Sequence, residues 1–424
     1  MNLAVIGSGG REHAICYKLK QSRKIKKIVC IPGNAGTQKI AENIKEDISN
    51  FEAIYQIIKN KNIDIVFIGP EQPLVDGLGD YLNKKKVKVF GPSRFCSQLE
   101  GSKAFMKNLC KKNNIPTADF GEFDNFKDAS KFIKKKGAPI VVKADGLAAG
   151  KGVTICKSTE EALKETKLII KGKFKSSCKV VLEEFLEGEE LSYFVLADEK
   201  SYSFFGSAQD HKRVGEGDTG SNTGGMGAYS PAPILTAKLE KKIKEKIIEP
   251  TLQAMKNFGH PYKGILYAGL MIKNNEPYLI EYNVRMGDPE CQVLMMRLET
   301  DLLEIINCVI NNKVNNLKIM WSEKNCITIV LCSKGYPSSY NKNIEIKNLK
   351  YMPTDKNNQI FHAGTYEKDN KIYSNGGRVL NITSLSKTLV DARNKSLKNL
   401  DKISWKDGFF RKDIGWKAIN YKQK

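Results

Sequence analysis

Short apolar runs that stop at glycine or proline punctuate the first hundred residues. Residues 3–6 run into Gly7, 28–31 into Pro32-Gly33, 63–68 into Gly69-Pro70 and 87–90 into Gly91-Pro92. Runs of this length, rich in Ile and Val, predict buried strands. The stretches 11–20 and 51–60 between them predict helices. Strands alternating with helices give a parallel α/β domain over residues 1–101. Its ligand-facing loops are expected beyond the carboxyl ends of the strands, at 7–13 and 69–77.

Past residue 101 the pattern changes. Ser102 is placed to cap a helix that carries Lys103. Residues 140–142 form an apolar strand that delivers Lys143 to a glycine-rich segment containing Gly150, Lys151 and Gly152. A second apolar strand starts at Val180 and runs into Glu183, Glu184, Phe185 and Leu186, with Glu190 beyond. Residues from about 120 to 190 therefore predict a small α/β lid. A helix is expected over 236–258, and a hairpin over 265–272 and 278–284 with its turn at 274–277. Residues 206–229, rich in Gly, Ser, Thr and Asn, predict one long functional loop entered through Asp210, His211, Lys212 and Arg213. The rest, 326–424, reads as a separate mixed α+β module opening on a strand at 327–331. The expectation is an α/β protein in three parts: 1–101, 102–325 and 326–424.

Composition narrows the function without naming it. A chain of 424 residues exceeds what one core holds. No window supplies the roughly 20 apolar residues of a membrane span. The first residues enter a strand directly rather than a targeting peptide, so a cytoplasmic protein with no membrane partner is expected. Ten scattered cysteines and four histidines form no Cys-x2-Cys pair and read as reduced thiols serving as small apolar residues. The net charge of +22 comes from dispersed lysine runs without an arginine or aromatic stripe. That pattern predicts solvated lysine surfaces and no nucleic-acid partner, although a basic surface also attracts phosphorylated substrates.

The candidate chemistry is that of phosphates. Glycines let the backbone approach a polyphosphate, and lysines neutralise it. Glu281 and Asn283 are two apart on a predicted strand, so both emerge from one face. Two oxygen ligands facing a triphosphate suit Mg²⁺, and Arg285 continues the alternation. By contrast, Gly7-Ser8-Gly9-Gly10-Arg11-Glu12 fails as a dinucleotide fingerprint, because Glu12 holds the third glycine position. That loop can still bind a phosphate or sugar at a helix N-terminus.

Seven segments carry a resemblance. They are 7–14 (Gly-Ser-Gly-Gly-Arg-Glu-His-Ala), 69–77, 142–153, 210–220, 222–231, 283–290 (Asn-Val-Arg-Met-Gly-Asp-Pro-Glu) and 374–380. In content and order the chain resembles the phosphoribosylamine–glycine ligase family, also called glycinamide ribonucleotide synthetase, of the ATP-grasp superfamily. The resemblance implies a pre-ATP-grasp N-terminal domain, an ATP-grasp domain with a lid, and a C-terminal domain. It implies that ATP, glycine and 5-phosphoribosylamine yield glycinamide ribonucleotide, ADP and phosphate in purine synthesis. Glu281 and Asn283 would hold Mg²⁺ or Mn²⁺. Lys103 and Lys143 would meet the ATP phosphates, residues 183–186 the adenine and Glu190 the ribose. Lys143 and Arg285 are the catalytic candidates, and Gly150, Lys151 and Gly152 belong to the nucleotide loop. Met286 and Ser221 depart from the family's usual Phe or Leu and Pro, at positions that bear no charge.

For the sugar phosphate, the residues themselves suggest a clasp between Gly9 and Gly10 on one side and Arg378 on the other, since Arg binds phosphate bidentately. Glu71 and Asp288, in turns near strand ends, suit the ribose hydroxyls or the amine. Asp210 and Arg285 complete the substrate candidates. A monomer is expected. The rivals are another ATP-grasp enzyme, such as a biotin-dependent carboxylase, and a basic RNA-binding protein.

Overall fold

The computed structural model describes residues 1–148, 152–174 and 178–421. Five parallel strands open the chain: β1 (Asn2–Gly7), β2 (Lys27–Pro32), β3 (Glu42–Asn43), β4 (Ile65–Ile68) and β5 (Lys88–Phe90). Their order is β3-β2-β1-β4-β5. The chain winds one way from β1 and then the other way from β4, so the carboxyl ends of these two neighbours frame a crevice. The helix Gly10–Lys20 after β1 brings Arg11 to that crevice. The helix Glu71–Asp76 after β4 brings Glu71.

The lid is a sheet of its own. Strands β6 (Phe120–Phe123), β7 (Ile140–Ala144), β8 (Val153–Cys156) and β9 (Val180–Glu184) pair in the order β6-β9-β7-β8. Helices Phe126–Lys136 and Thr159–Ile170 cover it. Its apolar core, including Ile133, Val142, Ile169 and Leu182, draws only on residues of this segment. The expected cap of the preceding helix is present: Ser102 Oγ accepts from the Phe105 N–H at 3.1 Å.

A second, larger sheet crosses the rest of the molecule. It contains β10 (Glu189–Ala197), β11 (Tyr202–Asp210), β14 (Gly227–Ser230), β15 (Gly264–Lys273), β16 (Glu276–Asn283), β17 (Asn325–Ser333), β19 (Asn358–His362) and β22 (Arg378–Ser386). The order is β16-β15-β10-β11-β14-β17-β22-β19, with β23 (Gly408–Phe409) paired to β17. A small sheet of β18 (Glu345–Ile346), β20 (Thr365–Lys368) and β21 (Lys371–Ser374) stands apart.

Two expectations change, and a third gains detail. The C-terminal domain begins on its expected strand, and because β17 pairs with β14 the large sheet continues across that boundary. Residues 206–229 are not one irregular loop, because β11 extends to Asp210 and β12 (Arg213–Gly215) and β13 (Thr219–Asn222) form an exposed hairpin. Gly217 turns that hairpin with a φ of +66°. The helix over 236–258 is interrupted by a π-helical turn at Lys244–Ile248. Pro250 lacks an N–H and crowds the carbonyl four residues back, inside that widened turn.

Among the described residues no helix is long and apolar enough to cross a membrane. All ten cysteines are unpaired, and all but Cys178 and Cys308 are buried.

Candidate active site

The lid, the large sheet and the N-terminal crevice enclose a cavity of about 520 Å³. That volume suits a small-molecule site. Val141, Lys143, Ala148, Gly152 and residues 183–186 line its lid side, and Glu281 and Asn283 its sheet side. Arg11, Glu71, Arg285, Asp288 and Arg378 stand at the opposite end.

At the lid end, Lys103 donates to Gly146 O at 2.9 Å. Lys143 Nζ lies 2.8 Å from Glu183 Oε1 and donates to Ile280 O at 3.3 Å. Glu183 is thus buried between lysines, whereas Glu184, Phe185, Leu186 and Glu190 border the cavity. Gly150 and Lys151 lie outside the described residues.

On the sheet floor, Glu281 stands opposite Gly269 and Asn283 opposite Tyr267. Glu281 is 37% exposed and 4.0 Å from Lys212. Neither its carboxylate nor the Asn283 side chain makes a hydrogen bond among the described residues. Two oxygen donors thus face the cavity, a set that suits a hard cation such as Mg²⁺. Burial would raise the Glu281 carboxyl, but Lys212, Lys143 and Lys103 outweigh it and hold it below the ordinary range.

The far end is a chain of half-buried ion pairs. Arg285 contacts Glu100 at 2.6 Å and Glu71 at 3.2 Å. It lies beyond the end of β16, so these pairs, not strand alternation, aim it into the cavity. Although burial acts to raise it, Glu71 is held down at about 2 by Arg285 and Arg11. Burial wins at Glu100, pushing it up to about 7 despite Arg285. Arg378 lies 3.4 Å from Asp288 Oδ2 and donates to the carbonyls of Asp288 and Gly224. The Asp210 side chain is almost fully buried, 3.7 Å from Lys212, and its Oδ1 has no hydrogen bond among the described residues. Burial and the nearby Glu290 push its carboxyl well up.

Gly9 and Gly10 are not brought to this cavity. The Gly9 N–H donates to Glu12 Oε2 at 2.6 Å. Gly10 is packed so closely under Asn381 and Gln292 that a Cβ would fall 2.3 Å from Asn381 Nδ2. Close packing, not an open anion cradle, accounts for that glycine.

Residues 1–100, 101–291 and 326–417 match, in that order, the phosphoribosylglycinamide synthetase N domain, its ATP-grasp (A) domain and its C domain. The chain belongs to the phosphoribosylglycinamide synthetase family. A phosphoribosylamine–glycine ligase of Brucella melitensis is 47% identical over 420 residues, covering 99% of this chain and 98% of that protein. The crystal structure of the Thermotoga maritima phosphoribosylamine–glycine ligase is 33% identical with a TM-score of 0.83, covering 98% of this chain and all of that one. Biotin carboxylase from Campylobacter jejuni shares the fold with a TM-score of 0.75, at 18% identity, over 99% and 97% of the two chains.

Beyond the sequence candidates, Arg11, Glu100, Lys212 and Tyr267 also line the cavity, together with Glu290, the alternative metal ligand to Glu281. Tyr267 and Ser192 both hydrogen-bond Glu290 Oε1, at 2.8 and 3.1 Å. Arg11 and Lys212 lie inside the family segments 7–14 and 210–220, which is a usable signal. Glu100 sits in the short helix Gln98–Gly101, which no motif marks, and only the fold brings it to Arg285.

Proposed function

We propose that the chain ligates glycine to 5-phosphoribosylamine, with ATP converted to ADP and phosphate, giving glycinamide ribonucleotide in purine synthesis. The observation that carries the reading is one cavity with lysines at the lid end and an arginine–carboxylate chain at the other. A carboxylate and an amine form only a salt until the carboxylate is activated. Phosphorylation of glycine by ATP supplies a leaving group, and the sugar amine then attacks the acyl carbon and expels phosphate. Such chemistry requires positioning and charge stabilisation rather than a protein nucleophile.

In this reading Lys103 and Lys143, with Gly150, Lys151 and Gly152, neutralise the ATP phosphates. Glu184, Phe185 and Leu186 border the adenine, with Glu183 held behind them between Lys107 and Lys143, and Glu190 borders the ribose. Glu281 and Asn283 would hold Mg²⁺, which would offset charge on the phosphates. Mn²⁺ fits the same oxygen set. Arg285 stabilises charge on the transferring phosphoryl group. Asp210, Glu71 and Asp288 face the amine and the sugar hydroxyls, and Arg378 binds the sugar phosphate. Gly9 and Gly10 then support the Asp288 side by packing. The stretches 1–101, 102–325 and 326–424 serve as substrate-binding, nucleotide-binding and C-terminal parts of a cytoplasmic monomer.

Release of ADP tests the function. It is expected with glycine plus phosphoribosylamine and not with bicarbonate plus biotin, and the reverse result would sink the reading.

A further inference from the structure

Lys107 lies outside every motif discussed above. It sits one turn beyond Lys103 on the helix Lys103–Lys112, and its side chain is 0% exposed. A lysine is almost never fully buried unless it is paired. Lys107 Nζ lies 2.8 Å from Glu183 Oε2 and donates to Thr117 Oγ1 at 2.7 Å. The Thr117 hydroxyl passes the chain on to Leu279 O at 2.6 Å, on the strand that carries Glu281.

The other oxygen of Glu183 faces Lys143, also at 2.8 Å, but no aligned hydrogen bond among the described residues ends on it. The two lysines are therefore held unequally. Lys107 is sealed away with two close partners. Lys143 borders the cavity, with a bare charge contact and one long bond to Ile280 O. One carboxylate is shared by two ammonium groups, so one of them can leave without stranding a buried charge.

We infer that Lys107 is a positioning residue, the permanent counter-ion of Glu183, whose presence frees Lys143 to move from Glu183 to the nucleotide phosphates. This rests on the reading that Lys143 contacts those phosphates. Without Lys107, Glu183 has Lys143 as its remaining partner. Nucleotide would then have to take Lys143 from a buried carboxylate left with no counter-charge.

The test is a double-mutant cycle on the full-length protein, reading the Kd of a non-hydrolysable ATP analogue by calorimetry, with thermal melts to confirm folding. Lys107→Met keeps side-chain volume and leaves a neutral Glu183–Lys143 pair. It is expected to weaken binding by about 10–100-fold. In a Glu183→Gln background Lys143 is already free, so adding Lys107→Met is expected to change Kd by less than about 2-fold. A plain field effect of the lost charge would instead weaken binding equally in both backgrounds, which would overturn the inference. Wild-type affinity in the single Lys107→Met variant would also overturn it. Lys143→Ala separates the two levels: if it binds the analogue normally, the phosphate role of Lys143 is wrong. If it binds weakly while Lys107→Met binds normally, only the role of Lys107 is wrong.

Discussion

The two ends of the cavity are built differently. The lid end is walled by a four-stranded sheet with a private core, linked to the large sheet by a bridge at Thr117 and Leu279 and by the Lys143–Ile280 hydrogen bond. At the other end the parts share one core, in which Leu3 and Ile15 pack in a cluster with Phe194, Leu294 and Phe361. Polar ties cross the same joint. The His362 N–H donates to His13 Nδ1, and Asn34 Nδ2 donates to His362 O, both at 2.8 Å. A wall with its own core can move as a unit, whereas a shared core resists opening. Under the proposed assignment, such an arrangement would let ATP enter under the lid while the sugar end stays preset.

Single substitutions should expose that contrast. Arg285→Ala is expected to cut kcat/KM by roughly 10²–10³-fold. It should also lower stability by about 3–5 kcal/mol, because Glu71 and Glu100 lose their shared partner. Lys143→Ala should cost comparable activity yet leave the denaturation midpoint nearly unchanged, since Lys107 still pairs with Glu183. Steady-state kinetics beside urea melts check both, and equal destabilisation by the two variants would erase the difference between the ends.

Smaller effects sharpen it. Glu281→Gln keeps the side-chain shape but removes a full charge from the oxygen pair. It should raise the Mg²⁺ concentration for half-maximal rate about 10-fold, and an unmoved titration places the metal elsewhere. Arg378→Ala should raise KM for phosphoribosylamine by about 10-fold while those for ATP and glycine hold. Equal small changes in all three would remove Arg378 from the sugar end.

The joint itself should respond to pH. Burial, helped by Lys39, lowers His13 from its ordinary 6.5 to about 3, and burial takes His362 well below its ordinary value too. Below pH 6.5 the unfolded chain therefore binds protons that the native state refuses. Stability is full above pH 6.5 and falls as pH drops towards 3, by up to about 1.4 kcal/mol per pH unit for each histidine. His13→Asn, which can still accept the His362 N–H, should flatten part of that slope in urea melts run at stepped pH. An unchanged slope would mean that His13 titrates normally in the fold.

What the chain determined by itself was local and ordered. The apolar runs ending at Gly7, Gly69 and Gly91, the strand before Lys143 and the Glu281–Asn283 spacing were legible because strand periodicity and turn chemistry act over a few residues. Family segments in sequence order identified the whole in the same way. The tertiary structure decided whatever depends on residues far apart meeting. It joined 227–230 to 325–333 in one sheet, where a boundary was expected. It set Glu100 against Arg285 and Lys107 against Glu183, although neither pair has a sequence signature. It also packed Gly10 under Asn381, 371 residues later, and so closed the loop that glycine content alone had suggested was open. Buried charge forces such meetings: an ion removed from water needs a partner, and which partner is available is settled only when the chain folds.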